Sequence, residues 1–162
     1  MEVCFPTESK YNPGGESCLI VDGAVIQLVQ GPVVLNFPLC RWIVFQDLLS
    51  EISTVVDYVR NNRWAYMKEH LGGNVFVETG IDCSEVVDIR RYYVSPLDNK
   101  KHPTAHGVKL TFNQFDLLLD ISNLLRDLIP ALKDTLPCYM THQNVEGAVW
   151  CHECNPDGEI DL

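Results

Sequence analysis

The sequence predicts an α+β fold made of two successive repeats, each a run of short strands forming a curved antiparallel sheet and ending in a long helix, with the two helices packed together. Three observations carry this expectation. Two long segments have apolar residues at helical spacing, and each follows a strand-rich stretch. Asp22-Gly23 sits between two β-branched runs, as a two-residue hairpin turn does. The halves also share a plan. Gly31-Pro-Val-Val-Leu-Asn-Phe37 lines up with Gly107-Val-Lys-Leu-Thr-Phe112, with Leu35-Asn36-Phe37 falling on Leu110-Thr111-Phe112 once one residue is skipped.

Taken in order, residues 1–17 are an N-terminal extension and residues 18–63 the first, degenerate repeat. Cys18–Val21 and Ala24–Val29 are strands flanking the hairpin turn, and Gly31–Phe37 is a third strand. Asn36, with Pro38 just inside, marks the start of the first helix. Its stripe is Trp42, Phe45, Leu49, Ile52, Val56 and Val59, with Leu48 and Val55 beside it.

The second repeat covers residues 64–136. Gly72-Gly73 breaks the segment from Trp64 to Leu71, and strands follow at Asn74–Thr79, Glu85–Val94 and Val108–Phe112, with a polar turn from Ser95 to His106. Thr111 and Gln114 have the spacing of a capping box. The second stripe is Leu118, Ile121, Leu125, Leu128 and Leu132, widened by Leu117, Leu124 and Ile129. Pro130 shortens this helix and Pro137 ends any helical run that remains. Both stripes are wider than one sheet needs, so each helix is expected to cover the other.

With 162 residues and 46% hydrophobic content, the chain can bury one good core or two small ones that share an interface. It lacks a run of eighteen apolar residues, and its first residues lack a basic start followed by an apolar run, so the expectation is an intracellular protein with no membrane partner. Seven cysteines at irregular spacing suit thiols or metal ligands in a reducing compartment better than a disulfide framework.

The net charge of −10 argues against general phosphate binding, but the cations are unevenly distributed. Arg90, Arg91, Lys100, Lys101 and Lys109 cluster, with His102 and His106 among them. Such a cluster is a binding patch, or a solvated strand and loop balancing nearby Asp and Glu. The strand Glu85–Val94 carries two arginines and two tyrosines that a fully buried strand would not need. Period-two alternation puts Arg90 with Tyr92 on one face and Arg91 with Tyr93 on the other. Tyr92 also reads as a core or interface ring.

Asp88-Ile-Arg-Arg-Tyr-Tyr93, the polar turn, and Gly107-Val-Lys-Leu-Thr with Gln114-Phe115 resemble the positive cofactor four family of transcriptional coactivators, which bind single-stranded DNA. The resemblance covers residues 74–133. It implies an intramolecular pseudo-dimer, because the family's sheet-and-helix units pair through their helices. It implies Arg90 as a phosphate contact, Tyr93 at the position of the family's stacking tryptophan, and Lys100 or Lys101 in the basic turn. His106 stands where the family has a lysine, and Arg91 and Lys109 complete the nucleic-acid set. Arg41 and Arg60 are the only cations in the first repeat's strand and helix region, so half of a symmetric surface is missing. The implied role is a transcription or replication cofactor, nuclear or at a site of DNA transcription or replication, with transcription or replication proteins as partners. The implied assembly is a monomeric pseudo-dimer or a higher homo-oligomer. The alternative is a protein–protein interaction module that kept the fold and lost most of the DNA surface.

The tail, residues 137–162, holds a second constellation, Cys138-x3-His142 and Cys151-x2-Cys154. Two close pairs of soft or borderline ligands suit tetrahedral zinc, with His152 as a substitute for His142. The alternative is free thiols packing Val149 and Trp150 onto the body. Redox Cys-x2-Cys pairs open a helix in a βαβ setting, whereas this pair sits beside a turn and an acidic terminus. Asp157, Glu159 and Asp161 form that terminus and can compete with nucleic acid for the basic patch. No glycine-rich phosphate loop, nucleophile elbow or His-Glu-x-x-His helix is present, so a binding protein is expected rather than an enzyme.

Overall fold

Eight strands pair into two four-stranded antiparallel sheets, each ending in a helix, in the computed structural model, which describes residues 1–6, 15–142 and 145–158. The first sheet has the order β1 (Glu2–Phe5), β2 (Ser17–Asp22), β3 (Val25–Gln30), β4 (Val33–Pro38), and α1 (Leu39–Arg60) follows it. The second has β5 (Tyr66–Gly72), β6 (Val75–Gly80), β7 (Val86–Val94), β8 (Lys101–Thr111), then α2 (Phe112–Leu128). A short α3 (Ala131–Asp134), a 3₁₀ turn at Cys138–Met140 and α4 (Val145–Val149) complete the chain. None of the described helices is long and apolar enough to cross a membrane.

The α+β class and the order of strands before helix are as the sequence predicts. Two strands escaped it. Part of the supposed N-terminal extension is β1, the edge strand of the first sheet, and Cys4 lies opposite Cys18 in its ladder. Those two cysteines are joined in a disulfide, where thiols or metal ligands were expected. The second missed strand, β5, has Met67 and Leu71 facing inward, but Glu69 interrupts the apolar alternation and hides the period.

Three local expectations also change. The turn after β7 ends at Lys100, because residues 101–106 extend β8; Ser95 N–H donates to the Lys100 carbonyl to close it. Asn36 does not cap α1. It stays in β4, where its side chain accepts from Gln27, and the helix starts only after Pro38. The Leu-polar-Phe step is therefore out of phase between the halves: Phe37 is still in a strand, whereas Phe112 opens its helix. The capping box at Thr111 and Gln114 is present in full. Pro130 stops α2 by forcing Ile129 into an extended backbone, as a residue before proline prefers.

The expected stripe of α1 is buried from Trp42 to Val59 and joins side chains of both sheets and α2 in one continuous core. Trp42 and Phe45 pack on Phe37, and α1 runs on over β5 and β6. By contrast, α2 lies on β7, β8 and β1. A face-to-face pairing of the long helices is not shown. Arg60 reaches Asn113 and Asp116 across their ends, and Leu117, Leu124 and Leu128 of the widened second stripe are exposed. The width of the first stripe is taken up by strands of both sheets, and part of the second stripe stays exposed.

The sheets are joined directly. Gln30 hydrogen-bonds both the N–H and the carbonyl of Lys109, and His106 Nε2 lies 2.8 Å from the Val34 carbonyl. Gln114 completes the tie: beyond its capping role, its buried amide donates to the carbonyls of Phe5 and Gly15. Gln114→Ala is expected to lower stability by about 2 kcal/mol, through the lost cap and the buried carbonyls left unpaired, as measured by urea unfolding.

Candidate functional site

Period-two alternation sends every second side chain of the second sheet away from the helices. Along β6 and β7 the inward set is Val75, Val77, Val87 and Ile89, all buried in the core. The outward set includes Lys68 and His70 from β5, Phe76 and Glu78 from β6, and Asp88, Arg90 and Tyr92 from β7. The rings of His70, Phe76 and Tyr92 form a row, with adjacent centroids 4.9 Å apart. Lys68 Nζ sits 4.3 Å from the Tyr92 centroid and Lys101 Nζ 5.3 Å from that of Phe76, within cation–π range. A shallow cleft beside this row is lined by Glu78, Asp88, Arg90, Tyr92, Pro103 and Lys109.

The residues read as nucleic-acid contacts divide into two groups. Arg91, Tyr93 and Lys100 are exposed. Arg90 is held within the protein: Nε lies 3.2 Å from Asp88, Nη1 donates to the Thr104 carbonyl, and the guanidinium fills the space a Cβ on Gly107 would need. Lys101 and Lys109 are half-buried on the outer face, and His106 is taken up by the bond to Val34. The irregularity between Arg90 and Tyr92 leaves those two lining the same cleft. Tyr93 points the other way, its ring 5.9 Å from that of His102 and tilted 39° to it, so Arg90 and Tyr93 are not brought together. Tyr92 is buried, but within the outer aromatic row.

Burial also sets the charge on this face. Desolvation keeps the Asp88 carboxyl above its usual range despite the adjacent Arg90, and it holds the His70 imidazole below its ordinary value. A neutral His70 suits the Asn74 N–H that points at its Nε2. Arg41 and Arg60, the first repeat's cations, are both occupied in ion pairs.

The tail converges on the same edge of the sheet. Cys138 Sγ is 3.3 Å from Cys151 Sγ and 3.8 Å from His142 Nε2, which is 3.2 Å from Cys154 Sγ. All four ligand atoms lie within 4.8 Å of one another. A tetrahedral ion with bonds of about 2.3 Å to sulfur and about 2.0 Å to nitrogen holds its ligand atoms roughly 3.5–3.8 Å apart. This Cys3His cluster can therefore hold a metal with little movement. It is His142, not His152, that completes the set. Burial raises the Cys138 thiol, and burial with hydrogen bonding from Cys151 and Cys138 pushes Cys154 up to about 12. Desolvation opposes ionisation at Cys151 as well, but the Cys154 N–H and the Cys138 thiol bring it below the usual value.

Residues that the sequence did not single out dock this cluster. Arg41 makes a two-pronged ion pair with Glu153, at 2.6 and 2.8 Å, and the Gly73 N–H donates to the Glu153 carbonyl. Both glycines of the β5–β6 turn are required. Each has a positive φ, and a Cβ would stand 2.0 Å from Glu153 Oε1 on Gly72 and 2.2 Å from Arg41 Nη2 on Gly73. Further along, Asp157 accepts from Asn74 Nδ2 at 2.9 Å and lies 3.5 Å from Lys101 Nζ. The expected competition of the acidic terminus with the basic patch thus has a contact at Asp157; Glu159 and Asp161 lie outside the described residues. A cavity of about 230 Å³ remains between cluster and sheet, lined by Cys40, Val44, His70, Leu71, Tyr139 and Cys154, among others.

Cobalt(II) added to the reduced protein is expected to bind at one equivalent per chain, with the intense absorption of tetrahedral thiolate ligation, and Cys151→Ser should abolish that spectrum. Because Cys138 and Cys154 hold their protons more tightly than ordinary thiols, the metal must displace those protons. Cobalt affinity should therefore rise with pH and fall on acidification, as read by titrations at successive pH values. Comparison with family models, curated proteins and solved structures finds no match.

Proposed function

We propose that the protein is a non-enzymatic binder of single-stranded nucleic acid, acting with the machinery of DNA transcription or replication and using the outer face of its second sheet. One observation carries the reading: Lys68 and Lys101 flank the row of Phe76 and Tyr92, so cations for the phosphates stand beside aromatic faces suited to unpaired bases. Arg91 and Tyr93, on the other face of β7, and Lys100, in the turn after it, are exposed and offer further contacts beside this face. Arg90 serves as a scaffold in this reading, because its guanidinium is already bonded to Asp88 and Thr104.

Zinc is the metal we assign to Cys138, His142, Cys151 and Cys154, since three thiolates and an imidazole are its preferred structural set. Four protein ligands leave no open position, so its contribution is to brace the tail.

A second reading, an interaction module for another protein, is favoured by the exposed row of Leu117, Leu124 and Leu128 and by Glu78 and Asp88 within the cleft. Fluorescence anisotropy with labelled oligothymidylate separates the two. Binding is expected at low salt and should weaken as salt rises. The double variant Arg91→Gln/Lys100→Gln should flatten the salt dependence by up to about one unit of log–log slope per cation removed. Absence of binding at micromolar protein in low salt would leave the interaction module as the better reading.

A further inference from the structure

We infer that Asp157 occupies an anion subsite, formed by Lys101 Nζ and the side-chain amide of Asn74, that a phosphate of single-stranded nucleic acid takes when bound. The inference rests on the nucleic-acid reading above and locates one of its phosphate positions.

The donors are fixed before any ligand arrives. Asn74 stands in the tight β5–β6 turn with φ of 63°. Its N–H points to His70 Nε2, and its carbonyl accepts from the Tyr92 N–H at 2.7 Å. The side-chain oxygen is buried with no hydrogen-bond partner among the described residues, so the amide is oriented by what its nitrogen reaches, the Asp157 carboxylate. Lys101 comes to the same carboxylate from β8, with its ammonium also near the Phe76 ring. A phosphate oxygen would meet the same two donors, and a base attached to it would lie beside Phe76 and Tyr92.

Asp157 reaches the subsite as part of a braced segment. Glu153, four residues before it, is clamped by Arg41 and the Gly73 N–H, and Cys151 and Cys154 belong to the metal cluster. A carboxylate held in this way is present at high effective concentration, and it must leave before a phosphate enters. Exchange of one anion for another leaves neither Lys101 nor Asn74 unpaired. The tail therefore lowers affinity without altering the surface.

The test uses the full chain and labelled oligothymidylate at low salt. Asp157→Asn is expected to bind roughly two- to fivefold more tightly than the unaltered protein, the scale of one partly exposed ion pair. Lys101→Gln should weaken binding, and the gain from Asp157→Asn should vanish when the two are combined. As a readout independent of nucleic acid, inorganic phosphate titrated into ¹⁵N-labelled Asp157→Asn protein should shift the Asn74 side-chain amide, and Lys101→Gln should remove that shift. Equal oligonucleotide affinity of Asp157→Asn and the unaltered protein, with no phosphate shift at Asn74, would overturn the subsite while leaving nucleic-acid binding intact. Failure of every variant to bind oligonucleotide would overturn the functional reading as well.

Discussion

Burial of α1 is the constraint on which the rest of the molecule depends. Its stripe is long and bulky, from Trp42 to Val59, and no single four-stranded sheet here covers it: Trp42 and Phe45 pack on Phe37 of the first sheet, and the helix also packs on β5 and β6 of the second. Removing that apolar surface from water is worth far more than any polar contact in the structure, so it fixes where the second sheet lies relative to the first. The bonds of Gln30 with Lys109 and of His106 with Val34 follow from that placement and set its register. The same burial leaves the opposite face of the second sheet to carry Lys68, Phe76, Arg90 and Tyr92.

The helices and most strands were legible because their signals are local. The α1 stripe, the first hairpin and the capping box at Thr111 each depend on residues only a few positions apart; the stripe and the box are found where the sequence places them, and the hairpin turn lies one residue later than expected, at Gly23-Ala24, with Asp22 paired to Val25. β1 and β5 were not legible: four residues are too few to show a period, and Glu69 breaks the alternation of the other. The packing of the helices could not be read from stripe width, because width shows how much surface must be buried and not what buries it. Leu117, Leu124 and Leu128 make the point from the other side, being apolar and still exposed.

The candidate site shows the same division. Cys138, His142, Cys151 and Cys154 were readable because metal-ligand spacing is a short-range pattern, and the structure brings all four together. The set on the second sheet was only partly readable. Charge and exposure cannot be told apart in sequence, so Arg90, which is tied to Asp88 and Thr104, looked the same as the exposed Arg91. Lys68 and His70 were missed because their strand was missed, and Phe76, on a strand that was expected, has an outward position that shows only against its neighbours in β5 and β7. Asn74, Arg41 and Glu153 act over separations of up to 112 positions, where no local pattern exists.

α1 belongs in sequence to the first sheet and in packing largely to the second, which makes the two repeats inseparable although each has its own strand ladder. A chain cut in the Arg63–Trp64 connection would leave β5 and β6 of the second sheet uncovered and the first sheet with a helix only part of whose apolar stripe is covered. The repeat is therefore a unit of description, not of folding. Each half supplies part of the other's hydrophobic wall, so a fragment holding only the proposed nucleic-acid face would be a poor stand-in for the chain.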